Sequence, residues 1–207
     1  MTMRRRVPSL FVCCVVLLVV AGCVGGPQNR RVTGTGTPAT LSEATQEAAG
    51  LTLDREANET LGTRVETTLS GDVSVRSVVE VNVTTPVREY RRDDGVVVGV
   101  VSTPAVRPVE NRPAYRDPLA TLSTEAQVDY AQTRYGVAEV GAGERVQNVT
   151  LFGNETALER VEAAARGEPV TVYLTRGRDG GDFVTVIVVA PVGSDVDVAG
   201  IAAGVEH

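Results

Sequence analysis

The side chain best prepared for chemistry in this sequence is a cysteine. Val20-Ala21-Gly22-Cys23 is an aliphatic residue, two small residues and a thiol. Small residues let a peptidase reach the backbone, and the thiol can then be alkylated to a lipid thioether. Residues 7–21 are a largely apolar run, shorter than the roughly 20 residues that a bilayer span needs, and Arg4, Arg5 and Arg6 precede it. A basic start, a short apolar run and small residues at its end form an export signal. We therefore expect a lipoprotein signal peptide at 1–22 and Cys23 as the lipidated new N-terminus. The protein would then sit on the cell membrane through its lipid and face the exterior. A retained N-terminal anchor is the competing expectation. Val7-Pro8-Ser9 continues the arginines poorly for twin-arginine export, which leaves the route open.

A second kind of modification chemistry is written four times. Asn58, Asn82, Asn148 and Asn154 each begin an N-x-Thr sequon and are glycosylation candidates.

Catalytic constellations are scarcer. Asp93-Asp94 and the 179–182 stretch place carboxylates close enough to consider a cation, but Asp and Gly there also suit hairpin tips. Asp195 and Asp197 suit the first turn of a helix. Ser102 and Thr103 carry hydroxyls with no evident base to activate them. Tyr90, Arg91 and Arg92 can meet an anion or simply end a strand in solvent. The only histidine is His207, the last residue, which excludes His-based triads and His-rich zinc sites within the fold. There is no lysine, hence no phosphate-loop lysine, and no complete dinucleotide loop. We assign no catalytic residue, no metal and no cofactor.

Charge narrows the partners. The formal net charge is −6 and becomes −9 once residues 1–22, with their three arginines, are removed. That balance opposes unaided nucleic-acid binding, and aromatics at 4% leave few platforms for stacking bases. An acidic, lysine-free chain rich in Val, Thr, Ala and Gly fits a GC-rich genome and a salty environment. No cysteine follows Cys23, so the domain has no disulfide framework.

These groups must be held by something. Residues 23–39 are rich in Gly, Thr and Pro and read as the lipidated cysteine with a flexible tether, spanning roughly 20–25 Å. Residues 40–207 are one domain by length. Thr40 with Glu43 predicts a capped helix that Gly50 ends. Residues 52–69 are a weaker strand. Val73, Val75, Val79, Val81 and Val83 alternate with polar residues as in a half-buried strand. Arg92-Asp93-Asp94-Gly95 is a hairpin turn to a buried strand over 96–101. Residues 104–118, with four prolines, read as a loop. Thr124 with Gln127 starts a second helix carrying Val128, Ala131 and Tyr135, with Gly136 as its stop. Residues 145–152 form a strand, 170–175 and 183–190 a hairpin, and Ser194 caps a last helix with Val198, Ile201, Ala202 and Val205 on its apolar side. Residues 156–166 have helix-forming composition beside a turn, so local propensity and sheet context disagree there.

The stretches VEVNVTTPVREY, VVSTPAV, DPLATLS and the closing GVEH resemble an uncharacterised lipoprotein domain family of halophilic archaea, over residues 40–207. The resemblance implies that 156–165 is a strand. The order of turns, strands and helices is also similar to PsbP-like domains, an antiparallel sheet packed with a few helices, and transfers no function. The expected class is therefore α+β, a PsbP-like sandwich. The expected role is a noncatalytic binding or envelope-accessory protein whose partner is an envelope protein or a glycan. The alternative is a carboxylate-based hydrolase, which needs two carboxyls about 5–10 Å apart across a cleft.

Overall fold

The computed structural model describes residues 30–69, 75–109 and 114–207. Residues 1–22 and Cys23 lie outside them, and so do Val73 and Ser74. Eleven strands and three short helices follow one another in that stretch. They are β1 Arg30–Thr35, β2 Thr40–Leu41, α1 Glu43–Ala49, β3 Thr52–Leu69, β4 Val75–Arg91, β5 Val97–Pro104, α2 Thr124–Ala131, β6 Val137–Ala138, β7 Glu144–Leu151, β8 Asn154–Ala165, β9 Glu168–Asp179, β10 Asp182–Pro191, α3 Val198–Ala203 and β11 Val205–Glu206.

Nine strands make one sheet. The meander β3-β4-β5 joins the meander β10-β9-β8-β7 through antiparallel β5 and β10. Beyond the end of β5, β1 takes its place beside β4 and runs parallel to it, pairing Arg30 with Val79 through to Thr35 with Thr84. The sheet thus takes in residues that the sequence reads as tether. β2 and β11 form a separate two-stranded ribbon.

Both faces of the sheet are buried. On one face Leu61, Val65, Val79, Val81 and Val83 of β3 and β4 share a core with Val161, Ala163, Val172 and Leu174 of β8 and β9. These strands lie near opposite edges, so a single core requires the sheet to curl into a half-barrel. Leu119, Val128 and Ala131 fill the hollow. On the other face Val98, Val100, Val184, Val186 and Val188 pack against Leu41, Ile201, Ala202 and Val205. Gly99 is the point where α2 presses on β5, because a Cβ there would sit 2.6 Å from the Ala131 carbonyl oxygen.

The expected α+β class is corrected by this architecture. The molecule is mainly β, a curled mixed sheet, and not a PsbP-like sandwich packed by helices. The helices have seven, eight and six residues. Helices of two turns cannot form a layer, and the sheet closes its own core by curling.

Local reading succeeds better. Gly50 ends α1 in the left-handed region. Residues 154–165 are strand, gripped by two-residue turns at both ends. Phe152-Gly153 and Arg166-Gly167 have positive φ throughout, the geometry that matches strand twist. Helix starts shift. Ser42, Ser123 and Asp197 provide the caps, in place of Thr40, Thr124 and Ser194. Thr40 is committed elsewhere, to β2 and to the Tyr90 hydroxyl at 2.8 Å. α2 stops at Ala131, before Tyr135 and Gly136.

Candidate functional site

Antiparallel strands give the sheet two poles. One holds the β9–β10 turn, the end of β5 and the entering chain. The other holds the β8–β9 turn and the end of β10. Twelve-residue β9 separates them by about 35 Å.

At the first pole the terminal histidine enters the fold. β11 pairs with β2, Val205 opposite Leu41 and Glu206 opposite Thr40, and this carries His207 inward. Its side chain is 6% exposed. Nδ1 lies 3.2 Å from Asp179 Oδ2, and Nε2 lies 3.3 Å from Asp182 Oδ2 and 3.5 Å from Ser102 Oγ. The sequence did not anticipate that the terminal histidine lies among serine and aspartate side chains of the fold. A terminal residue has no sequence pattern that reveals its neighbours.

The cluster is nevertheless built as a clasp. Both ring nitrogens face carboxylates. A neutral ring donates from only one nitrogen, whereas the imidazolium donates from both. An Nε2 that donates to Asp182 cannot take a proton from Ser102. Ser102 is 1% exposed, and Gly36 lies over it so closely that a Cβ would be 2.8 Å from its carbonyl oxygen. Asp182 Oδ2 also accepts from the Thr37 backbone N–H at 2.8 Å. One carboxylate thus receives both ends of the domain. Among the described residues no group of His, Cys, Asp or Glu is placed to hold a metal ion.

Two further carboxylates are buried. Asp117 Oδ1 accepts from Thr103 Oγ1 at 2.6 Å and from the Leu119 N–H at 2.9 Å, while Oδ2 pairs with Arg176 Nε at 2.5 Å. Arg176 also donates to Gln127 at 2.7 Å and to Thr185 at 3.0 Å. Thr103 is therefore a donor to a structural carboxylate. Glu89 has no exposed surface. Its oxygens accept from Arg91 at 2.8 and 2.9 Å and from the Thr133 N–H and hydroxyl at 2.9 and 3.0 Å. Sequence reasoning missed both carboxylates, although a signal existed. Glu89 continues the inward face of Val79, Val81, Val83 and Val87, and Arg176 continues that of Val170, Val172 and Leu174. A charge on a buried face demands a partner.

The other candidates resolve individually. The Tyr90 hydroxyl accepts from the Leu41 N–H at 3.0 Å inside the core. Arg91 serves Glu89 and Asp54, and Arg92 grips Asp94 with two N–H groups at 2.8 and 2.9 Å. That grip, opposed by a smaller effect of burial, holds the Asp94 carboxyl below its usual range and raises the Arg92 guanidinium. Asp93 and Asp94 lie in the turn before β5. Asp197 caps α3 through the Gly200 N–H at 2.9 Å, and Asp195 offers its backbone carbonyl to Arg92 at 2.8 Å. Asn58, Asn82, Asn148 and Asn154 are all exposed.

At the second pole the surface is open. Two adjoining grooves of about 630 and 510 Å³ share Pro169, Val170 and Val192. Val192 is 64% exposed. One groove adds Glu139, Arg160 and Glu162, and the other adds Arg134, Tyr135 and Arg166. An apolar floor between rows of mixed charge can seat a chain or a ring and orient it by its polar groups.

The fold and this surface define a mainly β, half-barrel domain with one clasped and one open pole. Residues 38–206 match DUF6517, a domain of unknown function, and the chain belongs to that family. No curated protein and no solved structure matches it.

Proposed function

We propose that the chain is a lipid-anchored extracytoplasmic protein acting as a noncatalytic binding or envelope-accessory domain. Its partner is a protein or glycan of the envelope. The supporting observation is the arrangement of the poles. The described chain begins at Arg30, seven residues after Cys23, on the clasped side. The grooves lie on the far side, where a partner has access. Lipidation at Cys23 supplies the anchor in this reading, and glycans at any of the four exposed sequons would add bulk to an exterior surface.

The second reading, a carboxylate-based hydrolase, draws on Glu139 and Glu162, which line the same groove. Glu162 is 81% exposed and sits 3.3 Å from Arg160. It has none of the apolar enclosure by which a general acid is kept protonated, so we adopt the first reading.

The test is site-specific photo-crosslinking in the native cells, with the crosslinker at Val192 or at Leu53, an exposed residue of β3. A recurrent envelope partner captured from Val192 and not from Leu53 is the expected result. Equal capture from both positions, or none from Val192, ends the binding reading. Intact mass of the same protein reports lipid on Cys23 and any glycan, so the anchor stands or falls separately.

A further inference from the structure

The clasped pole carries a cationic cluster that the grooves do not explain. Two guanidinium groups lie over the Tyr115 ring, Arg178 at 3.6 Å and Arg107 at 4.8 Å from its centroid. Arg107 Nη2 also donates to the Tyr115 hydroxyl. That bond and the charge of Arg107 hold the half-buried tyrosine's phenol below its ordinary range. Arg116 donates to the Tyr115 carbonyl at 3.3 Å, and Arg30 of β1 donates to the Arg107 carbonyl at 3.4 Å. Arg107 and Arg178 thus meet the Tyr115 side chain, and Arg116 and Arg30 bond to the backbone beside it. The 110–113 stretch between them contains one Glu and one Arg and adds no net charge. The nearest acid along β9, Asp179, is engaged by His207. Glu80, on the strand beside β1, is bracketed by Arg31 at 3.7 Å and Arg64 at 3.8 Å.

This runs against the acidic composition of the chain. It also occurs where the chain comes in. Arg30 lies seven positions after Cys23, and even a fully extended segment of that length reaches only about 25 Å. Arg178 Nη2 donates to the Gly180 carbonyl at 3.2 Å, and the planar fork of a guanidinium, with its five N–H donors, matches the oxygens of a phosphate. A tyrosine with an apolar ring and a polar tip suits the headgroup layer.

We propose that the cluster of Arg30, Arg107, Tyr115, Arg116 and Arg178 docks on anionic lipid headgroups, which sets the clasped pole against the membrane and turns the grooves outward. This deepens the lipid-anchor reading and rests on it. A basic patch beside a lipid anchor adds a second contact with an anionic surface. The tether makes that contact intramolecular, so weak ion pairs suffice.

The experiment uses the protein purified from its own membranes, placed in phosphatidylcholine vesicles with or without phosphatidylglycerol at low ionic strength. Hydrogen exchange is followed at 105–109, 114–116 and 176–182. Phosphatidylglycerol should slow exchange several-fold there, and molar salt should abolish the difference by screening. Arg107→Gln with Arg178→Gln should remove the slowing. Arg134→Gln with Arg166→Gln, at the other pole, should keep it. Exchange in β10 reports that both variants are folded. Equal exchange in the two vesicles, or equal losses in the two variants, overturns the proposal. The mass of Cys23 is read on the same sample. A lipid-free cysteine ends the anchor reading alone, and cosedimentation with the two vesicles then judges the cluster. In that assay the Arg107/Arg178 variant should partition about thirtyfold less to anionic vesicles.

Discussion

The two poles use charge in opposite ways. At the clasped pole His207, Asp182 and Ser102 are turned inward and satisfy one another, with Asp117 and Arg176 forming a second closed network nearby. At the open pole Arg134, Arg166, Glu139 and Glu162 line grooves in contact with solvent. Polar side chains that already have partners hold the fold together, and side chains that face water over an apolar floor remain available to a visitor. The contrast locates function better than residue type does. The only serine–histidine–aspartate grouping lies in the half of the molecule that is closed.

The comparison breaks first at Asp117. Asp117→Ala leaves Arg176 and Thr103 without their buried acceptor and should cost about 3–5 kcal/mol in denaturant unfolding. A loss under about 1 kcal/mol would mean that the network is ornamental. His207→Ala removes the ring's contacts with Asp179 and Asp182 and should cost about 1–3 kcal/mol, accompanied by faster exchange at the Thr37 amide. Stability without that local change would separate His207 from the clasp. Arg92 and Asp94, at the open pole, form an exposed pair. The Asp94 pKa is lowered in the fold, so its contribution is complete above the ordinary aspartate range and fades as acid titrates the folded carboxylate. Asp94 is 46% exposed, which limits the effect to within about 1 kcal/mol. Arg92→Ala should flatten the acid limb of an unfolding profile by that amount. Smallest of all, Val192→Arg should leave stability within about 0.5 kcal/mol of the parent while abolishing capture by a crosslinker moved to Glu162 in the same groove. A strongly destabilised Val192 variant would make that residue part of the core.

The sequence disclosed strands where one face is apolar and the other polar. Val79, Val81 and Val83 are legible for that reason. β3 is harder to read because it lies at the sheet edge and, among its described side chains, buries only Leu61 and Val65, and most of its side chains are polar or small. β1 is harder still. Gly, Thr and Arg describe a linker, and its partner Val79–Thr84 stretch lies far along the chain. Underestimating these strands produced the α+β expectation. The segment 156–165 shows the opposite error source, since Ala, Glu and Arg favour a helix while tight turns on both sides impose pairing. Asp117 was within reach. Asp before Pro-Leu is a turn former, and its Oδ1 does accept from the amide two residues on. His207 was out of reach, because only the pairing of β11 with β2 determines where the chain end lies.

The parallel placement of β1 has a mechanical consequence. Under the proposed lipid anchor, a load arriving from the N-terminal side would pull on Arg30 along the strand axis. Six residue pairs with β4 are then strained together in shear, where an antiparallel hairpin end would unzip one bond at a time. Behind them the Thr37 amide, bonded to Asp182, bears the next share. The sheet core lies beyond both, so such a load would meet two successive attachments before any core strand feels it.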